Sequence, residues 1–310
     1  MNKIKIPALI MLQGLPGCGK TKVAQKYIEL AERPTKVHSL KAVWAELYGD
    51  RVVQPNLLTK CYREIHSRIK NDLRNGFDVI YDAPNIKKSQ RYGFIQELKG
   101  ILCIKYCICI VTPYEVCLKT NSENAKKLSE DVIKEMYMNW QPPDFSDGFD
   151  DIDICYFAPE HTDNDWTIKS LASQMRDFDQ ENEHHKFTLG NHCLLARNYI
   201  NEMYPDNHLL AMAAYLHDNG KIFTKTKDGD RNSHYYQHHS VGAYNSMLYL
   251  INEDFSTQEI IYISNLIYYH MHPYASWKQS EKSEAKCRRR IGEEMFTDIK
   301  RLNEADIFAH

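Results

Sequence analysis

Apolar residues follow two rhythms along this chain. In the first half, short continuous apolar runs alternate with helical periods, and in the second half only helical periods remain. IPALIMLQ (6–13) reads as a buried strand, followed by a glycine loop and a helix to about Glu32. TKVHS (35–39) forms a second short strand. Residues 54–75 carry apolar positions at helical spacing until Asn75-Gly76 interrupts them. FDVIY (77–81) is a strand, a helix starts near Lys87, and ILCIKYCICIV (101–111) is the densest apolar run and another buried strand. Strands alternating with helices predict a parallel sheet covered on both faces. Between 140 and 165, Pro, Asp and Gly accumulate around one short strand and mark a boundary. Beyond it the period predicts only helices, near 165–178, 190–204, 207–217, 239–252, 256–270 and 288–306. The expected organisation is an α/β nucleotide-binding domain over 1–160, a linker with a connecting helix over 161–183, and an all-α domain over 184–310.

Composition narrows the setting. The net charge of -2 rules out a global basic field, though not a local basic patch. Nine cysteines without a paired framework, and no signal peptide, predict a reducing cytoplasm. The run at 101–111 is interrupted by Lys105 and too short to span a bilayer, so no membrane partner is expected. Cys103, Cys107 and Cys109 within it do not have zinc-knuckle spacing and read as core strand residues.

The glycine loop carries the first chemistry. Gly14-Leu-Pro-Gly-Cys-Gly-Lys20-Thr21 matches G-x-x-x-x-G-K-[ST] between a predicted strand and a predicted helix. Gly14, Pro16, Gly17, Cys18 and Gly19 shape a loop whose backbone N–H groups converge on phosphate oxygens. The following helix adds its positive N-terminal dipole. Lys20 would reach the β/γ-phosphates of ATP and Thr21 would hold its Mg²⁺. Asp82, at the end of the next strong strand, stands where a Walker-B-type acid would sit. Its alternative is a turn residue in Asp82-Ala-Pro-Asn85.

The second chemistry lies in the histidines. Eleven of the 14 fall after residue 183. His192, the pair His217-Asp218, His238 and His270 each stand near a predicted helix end, and Asp306 follows in the last helix. A divalent cation needs imidazole nitrogens and carboxylate oxygens converging from several helices, and this pattern supplies them. Taken alone, His217-Asp218 would read first as a helix-cap pair, with Asp218 bonded to backbone amides, and it is His192, His238, His270 and Asp306 in order that turn the reading to a metal site. KCRRR (286–290) forms a local basic patch, either a solvated helix face or a track for a nucleic-acid backbone.

On GLPGCGKT, WAELYGD (44–50), VIYDAPN (79–85) with Arg91, TPYEVCLKTN (112–121) and QPPDFSDGFDDI (141–152), residues 8–157 resemble the P-loop polynucleotide kinases, which phosphorylate 5′-hydroxyl ends. Where that family has a general-base aspartate and, three residues later, an arginine, this chain has Lys41 and Trp44. Where the family's lid has arginines, it has Lys119, Thr120, Asn121, Ser122, Glu123 and Asn124, with Lys126 and Lys127 beyond. These departures leave an active kinase and a binding-only module both open. On HHKFTLGNH, LHDNGK, HHSVGA, LIYYHMHP and EADIFAH, residues 184–310 resemble the HD phosphohydrolase superfamily. The resemblance implies that His192, His217, Asp218 and Asp306 hold a first metal (Mn, Fe, Ni, Co or Zn). His238 and His270 would complete a second site bridged by Asp218, and Lys221 would contact substrate phosphate or brace the metal-binding acid. His184 and His185 would cap the first helix or touch substrate, His239 and His272 would be surface or substrate-contacting residues, and His234 reads as a solvated histidine of a polar loop at the pocket rim rather than a ligand.

A P-loop kinase-like module followed by an HD module resembles bifunctional enzymes that repair broken RNA or DNA ends, with 2′,3′-cyclic or terminal phosphates as the HD substrate. The alternative is an HD phosphohydrolase of free nucleotides that ATP regulates through the P-loop domain.

Overall fold

The computed structural model describes residues 6–51, 54–124, 127–157, 166–181, 187–227, 233–278 and 280–310. The expected candidates Lys126, His184 and His185 lie outside them. The chain divides into two units, residues 1–130 with 143–158, and residues 131–142 with 159–310.

The first unit is a parallel α/β sheet. Its elements run β1 (Ala8–Gln13), α1 (Lys20–Leu30), β2 (Thr35–Ser39), α2 (Leu40–Tyr48), α3 (Pro55–Arg74), β3 (Asp78–Asp82), α4 (Lys88–Glu97), β4 (Ile104–Val111) and α5 (Tyr114–Ser122). Helix α6 (Glu130–Met138) then passes to the second unit, and β5 (Asp151–Tyr156) closes the sheet. All five strands are parallel, in the order β2-β3-β1-β4-β5. Every residue of β1 is buried, which explains its unbroken apolar run. The chain leaves β1 towards β2 and β3 on one side and continues to β4 and β5 on the other. The loop after β1 therefore opens at the switch point where such sheets bind ligands.

A buried ion network ties the end of this unit to its middle. Arg91 on α4, fully buried, donates from Nε to Asp147 Oδ2 at 2.8 Å and from a guanidinium nitrogen to Asn85 O at 3.0 Å. Lys88, one turn earlier, donates to Ser146 Oγ at 2.7 Å and lies 3.3 Å from Asp144. The PPDFSDGF stretch is thus anchored on α4 by charge.

The second unit is helical: α6, α7 (Ile168–Arg176), α8 (Leu189–Met203), α9 (His208–Leu216), α10 (Lys221–Thr224), α11 (His238–Leu250), α12 (Thr257–Tyr269), α13 (Glu281–Ile291) and α14 (Glu293–Phe308). Its core is α11, with twelve of its thirteen residues buried. Helix α6 rests on that core: Tyr137 donates to Asn245 Oδ1 at 2.8 Å, and Trp140 meets Tyr244 edge-on at 5.1 Å.

The structure corrects the expected elements in three places. The strand expected over 101–111 begins only at Ile104, because Leu102 is solvent-exposed ahead of it. The helix-only expectation for the second half misses a small antiparallel pair, β6 (Lys225–Lys227) with β7 (Ser233–Tyr235). The helix expected over 288–306 is two helices, broken at Gly292, whose φ of 87° no right-handed helix accommodates. Among the described residues, no helix is long and apolar enough to cross a membrane.

Candidate active sites

The P-loop is closed by its own lysine. Lys20 Nζ donates to Gly14 O at 3.0 Å and Leu15 O at 2.8 Å, and Thr112 Oγ1 holds Cys18 O at 3.1 Å. Gly17 has a φ of 85°, and a Cβ there would lie 2.3 Å from Cys117 O, so both the bend and the close approach of α5 require glycine. Pro16 lies in the turn before it, and Cys18 is fully buried. Burial pushes the Asp82 carboxyl up, opposed by Lys20 and by a hydrogen bond from Ser39. Thr21, Ser39, Lys41 and Asp82 line a cleft of about 430 Å³, and Asp82 is the one carboxylate among its lining residues. Trp44 is instead a core residue, buried against Tyr48 at 4.7 Å and donating to Arg51 O at 3.0 Å. At the lid positions, side chains serve the end of α5. Asn121 Nδ2 donates to Leu128 O at 2.9 Å, Ser122 to Lys119 O at 2.7 Å and Asn124 to Thr120 O at 3.1 Å.

In the second unit, helix ends bring buried imidazoles and carboxylates together. His192, in the second turn of α8, meets His217 at the end of α9 and Asp306 in α14. Asp218 meets His238, which opens α11, and His270, which ends α12. In each group of three, one ligand atom per residue lies within 4.8 Å of the others. His192 Nε2 is 3.1 Å from His217 Nε2 and 3.1 Å from Asp306 Oδ1. His238 Nε2 is 3.2 Å from His270 Nε2 and 3.2 Å from Asp218 Oδ1. Asp218 faces both groups, with Oδ2 3.5 Å from His192 and 3.4 Å from His217 and Oδ1 towards the second group. Its carboxylate thus faces imidazoles and Lys221, as a shared ligand would.

The other ring nitrogen of each histidine is tethered to the backbone. Nδ1 lies 3.3 Å from Ala309 O in His192, 2.8 Å from Ala214 O in His217, 2.9 Å from Tyr235 O in His238 and 2.6 Å from Ile267 O in His270. A carbonyl oxygen only accepts, so Nδ1 carries the proton and Nε2 is turned into the cluster. Two bare Nε2 atoms about 3 Å apart repel unless a positive centre lies between them and the carboxylates. In the metal-free protein, protons fill that role at the first pair, His192 and His217. Burial opposes charge on His192, but hydrogen bonds with Asp218 and Asp306 outweigh it and hold its pKa up at about 9. Burial likewise opposes charge on His217, and the Asp218 charge drives its pKa well up. His270 goes the other way, pushed well down by burial and by the neighbouring His238 and His217. Four imidazoles and two carboxylates around shared positive charge form a donor set suited to divalent transition metals.

Lys221, on the turn after Asp218, lies 2.7 Å from Asp218 Oδ2 and donates to Gln180 Oε1 at 2.8 Å. The motif's small residues set this register. Asn219 Nδ2 donates to Leu216 O at 2.7 Å and Ser246 Oγ at 2.9 Å, and Gly220 packs directly against the backbone of α11. His239 and His272 stand beside the groups without joining them. Burial lowers both, to about 3 in His239 and about 4 in His272, where Arg290 adds to the effect. His234 stacks on Tyr236 at 5.6 Å and is also outside the ligand groups.

Sequence reasoning missed three neighbours of the cluster. Tyr274, in a π-helical turn (Pro273–Trp277), donates to Asp306 Oδ2 at 2.9 Å. Gln180 is a buried amide in a stretch that reads as polar linker. His310 Nε2 lies 3.5 Å from Asp306 Oδ1. The sequence signal for them was limited to place: Tyr274 follows HMHP and His310 ends EADIFAH.

Two family models match the chain. The family model described as "Chromatin associated protein KTI12" matches residues 7–202, and the HD domain model matches residues 189–305. An L-seryl-tRNA(Sec) kinase of Methanococcus maripaludis is 29% identical over 164 residues, covering 50% of this chain and 61% of that protein. Protein kti12 of Schizosaccharomyces pombe is 24% identical over 179 residues, covering 53% of this chain and 61% of that protein. The chain thus spans about three-fifths of the length of these two relatives. Among solved structures, Chaetomium thermophilum Kti12 in complex with ADP-AlF3 has 18% identity and a TM-score of 0.40, covering 49% of this chain and 91% of that one. The Pnkp1/Rnl/Hen1 RNA repair complex has 18% identity and a TM-score of 0.36, covering 44% of each chain. The chain belongs to the KTI12 family, and its P-loop kinase-like domain is followed by an HD domain.

Proposed function

We propose that this chain is a nucleic-acid end-processing enzyme. Its HD domain acts as a metal-dependent phosphohydrolase on 2′,3′-cyclic or terminal phosphates, and its P-loop domain binds ATP with Mg²⁺. The observation that carries the reading is the double cluster, in which Asp218 faces two pairs of imidazoles whose Nε2 atoms are all turned inward. His192, His217 and Asp306 would hold one divalent cation, His238 and His270 a second, with Asp218 between them. Such cations supply Lewis acidity to a phosphoryl oxygen and make water nucleophilic near neutral pH. The protein's share is orientation. Backbone carbonyls fix each imidazole, the Tyr274 hydroxyl holds Asp306, and Lys221 braces Asp218, its ammonium being held internally by Asp218 and Gln180. In the reaction, a P–O bond forms to the oxygen of water, one P–O bond to ribose breaks, and the proton released from water ends on the freed hydroxyl. A relative whose name places its substrate on tRNA supports RNA over free nucleotides.

The P-loop domain has a second reading, as a binding module that regulates the HD domain. The cleft beside Thr21 presents Lys41 where a general base would stand, which favours this reading.

Both readings meet in one assay. A short RNA with a 5′-hydroxyl and a 2′,3′-cyclic phosphate is incubated with Mn²⁺ or Ni²⁺, with and without ATP, and both ends are read by mass spectrometry. The proposal expects opening of the cyclic phosphate, lost in His217→Ala. Phosphate gained at the 5′ end and lost in Lys20→Ala makes the P-loop domain a kinase. An ATP effect on the 3′ end alone makes it a regulator. No change at the 3′ end with either metal overturns the end-processing reading.

A further inference from the structure

Helix α13 is built unlike its neighbours. None of its residues is buried, while the other long helices of the second unit each bury a face. A helix this polar needs a reason to form. Its sequence, EKSEAKCRRRI, holds five basic residues against two acidic ones, a surplus of three positive charges in a chain whose net charge is -2.

Part of that charge anchors the helix. Glu284 pairs with Lys300 at 2.9 Å, and Arg288 pairs with Glu293 at 2.6 Å and lies over the Phe296 ring, all on α14. Of the remaining four, Arg290 lies at the end of the helix near His272, and Lys282, Lys286 and Arg289 are left over. All three are exposed, and none has an ion-pair partner among the described residues. Their spacing of four and then three residues puts them on one face of the helix. Three uncompensated cations in a row repel one another, so the arrangement raises the energy of the free protein and is relieved by a polyanion.

The position of the helix says which polyanion. Helix α13 follows and packs on the π-helical turn that carries Tyr274, whose hydroxyl holds Asp306. Arg290, on the last turn of α13, lies near His272. From His272 a run of rings leads inward: Tyr268 at 6.1 Å, then His239 at 5.5 Å, then His238 at 6.0 Å. In the turn between β7 and His238, Tyr236 is 60% exposed and stacked with His234 of β7, a flat surface for a base.

We propose that α13 is the track for the sugar–phosphate backbone of a single-stranded polynucleotide whose end enters the HD cluster. The inference rests on the phosphohydrolase reading of that cluster and adds the surface that selects a polymer over a mononucleotide.

The test compares the wild-type chain with the triple variant Lys282→Gln/Lys286→Gln/Arg289→Gln. None of these residues touches the cluster, and all are exposed. Two readouts separate the proposal from the reading beneath it. The first is the anisotropy of a fluorescein-labelled single-stranded RNA and its DNA equivalent across a salt series, which needs no catalysis. The second is Mn²⁺-dependent hydrolysis of bis(p-nitrophenyl) phosphate, which needs no polymer. The proposal expects the variant to bind the oligonucleotides about 100-fold more weakly at low salt, and the slope of log affinity against log salt to fall by about 2. Hydrolysis of the small diester stays at the wild-type rate. Unchanged oligonucleotide binding in the variant overturns the track, as does a wild-type chain that binds neither RNA nor DNA at low salt. An equal loss in both readouts also overturns it, because the helix would then be supporting the cluster itself. If the wild type binds RNA through α13 but hydrolyses no small diester with any metal, the track stands and the phosphohydrolase reading falls.

Discussion

Gly220→Ala would test how the HDNGK turn sets the cluster. Gly220 has ordinary helical angles, φ -62° and ψ -19°, so alanine meets no backbone strain there. The obstacle is contact. A Cβ at this position would lie 2.0 Å from His238 O and 2.6 Å from Gly242 N, both backbone atoms of α11. Real Cβ contacts essentially never fall below 3.0 Å, so the two helix ends must part by about 1 Å. That shift falls on the residue that presents His238, while Asp218 lies two residues from the new methyl. Overpacking of this kind costs about 1–3 kcal/mol. In a unit of this size each kcal/mol lowers Tm by about 2–4 °C. A 1 Å misplacement of a reacting group costs roughly 100-fold in rate. The assays are thermal unfolding of the metal-free chain and Mn²⁺-dependent diester hydrolysis. The expected result is a lower Tm together with a rate loss of about two orders of magnitude and weaker Mn²⁺ binding. A variant with wild-type Tm and activity would refute the close approach of the HDNGK turn and α11.

Three other perturbations follow from buried charge. Lys221→Met leaves the Asp218 carboxylate without its lysine, which should cost about 3–5 kcal/mol in the metal-free chain. Urea unfolding should show the gap narrowing when Mn²⁺ is added, and a gap that ignores metal would contradict the bracing role. Arg91→Met removes the guanidinium beside a fully buried Asp147 and should cost about 3–5 kcal/mol of first-unit stability, less whatever Lys88 makes up from 3.6 Å. A loss under 1 kcal/mol by chemical denaturation would count against it. Burial opposes the charged form of Asp72, but hydrogen bonds from Lys36 and His38 hold its pKa below the ordinary value near 3.8. Its contribution is therefore present above pH 3.8 and lost as pH falls through the lower folded value. Asp72→Asn should lower Tm at pH 7 by the equivalent of about 1 kcal/mol or less, and the two melting curves should converge near pH 2. Parallel curves from pH 7 to pH 2 would contradict the pairing.

The residues of the double cluster were legible because imidazoles and carboxylates stand out near helix ends, and His217-Asp218 interrupts an apolar run. The β/α alternation was legible for a similar reason. A strand covered on both faces cannot hide its composition, as β1 shows. What stayed hidden has no side-chain signature. The tethers that aim the four imidazoles end on backbone carbonyls, and any residue could supply those. Gln180 looks like linker composition yet is buried against Lys221. Arg91 and Asp147 form a core pair across 56 residues, a distance no local period reports. The break at Gly292 was available in the sequence, because a glycine between two helical periods is also a possible C-cap. Helix α6 is nine residues long and buries only Ile133 and Tyr137, too brief a pattern to stand out between the lid and the boundary.

Metal content tests the central claim most directly. The full chain is stripped with a chelator, reloaded with Mn²⁺, desalted and measured by elemental mass spectrometry. The account predicts about two ions per chain, falling to about one in His238→Ala and to near zero in Asp218→Ala. A reloaded chain that holds no metal, or an Asp218→Ala variant that holds as much as the wild type, would contradict it.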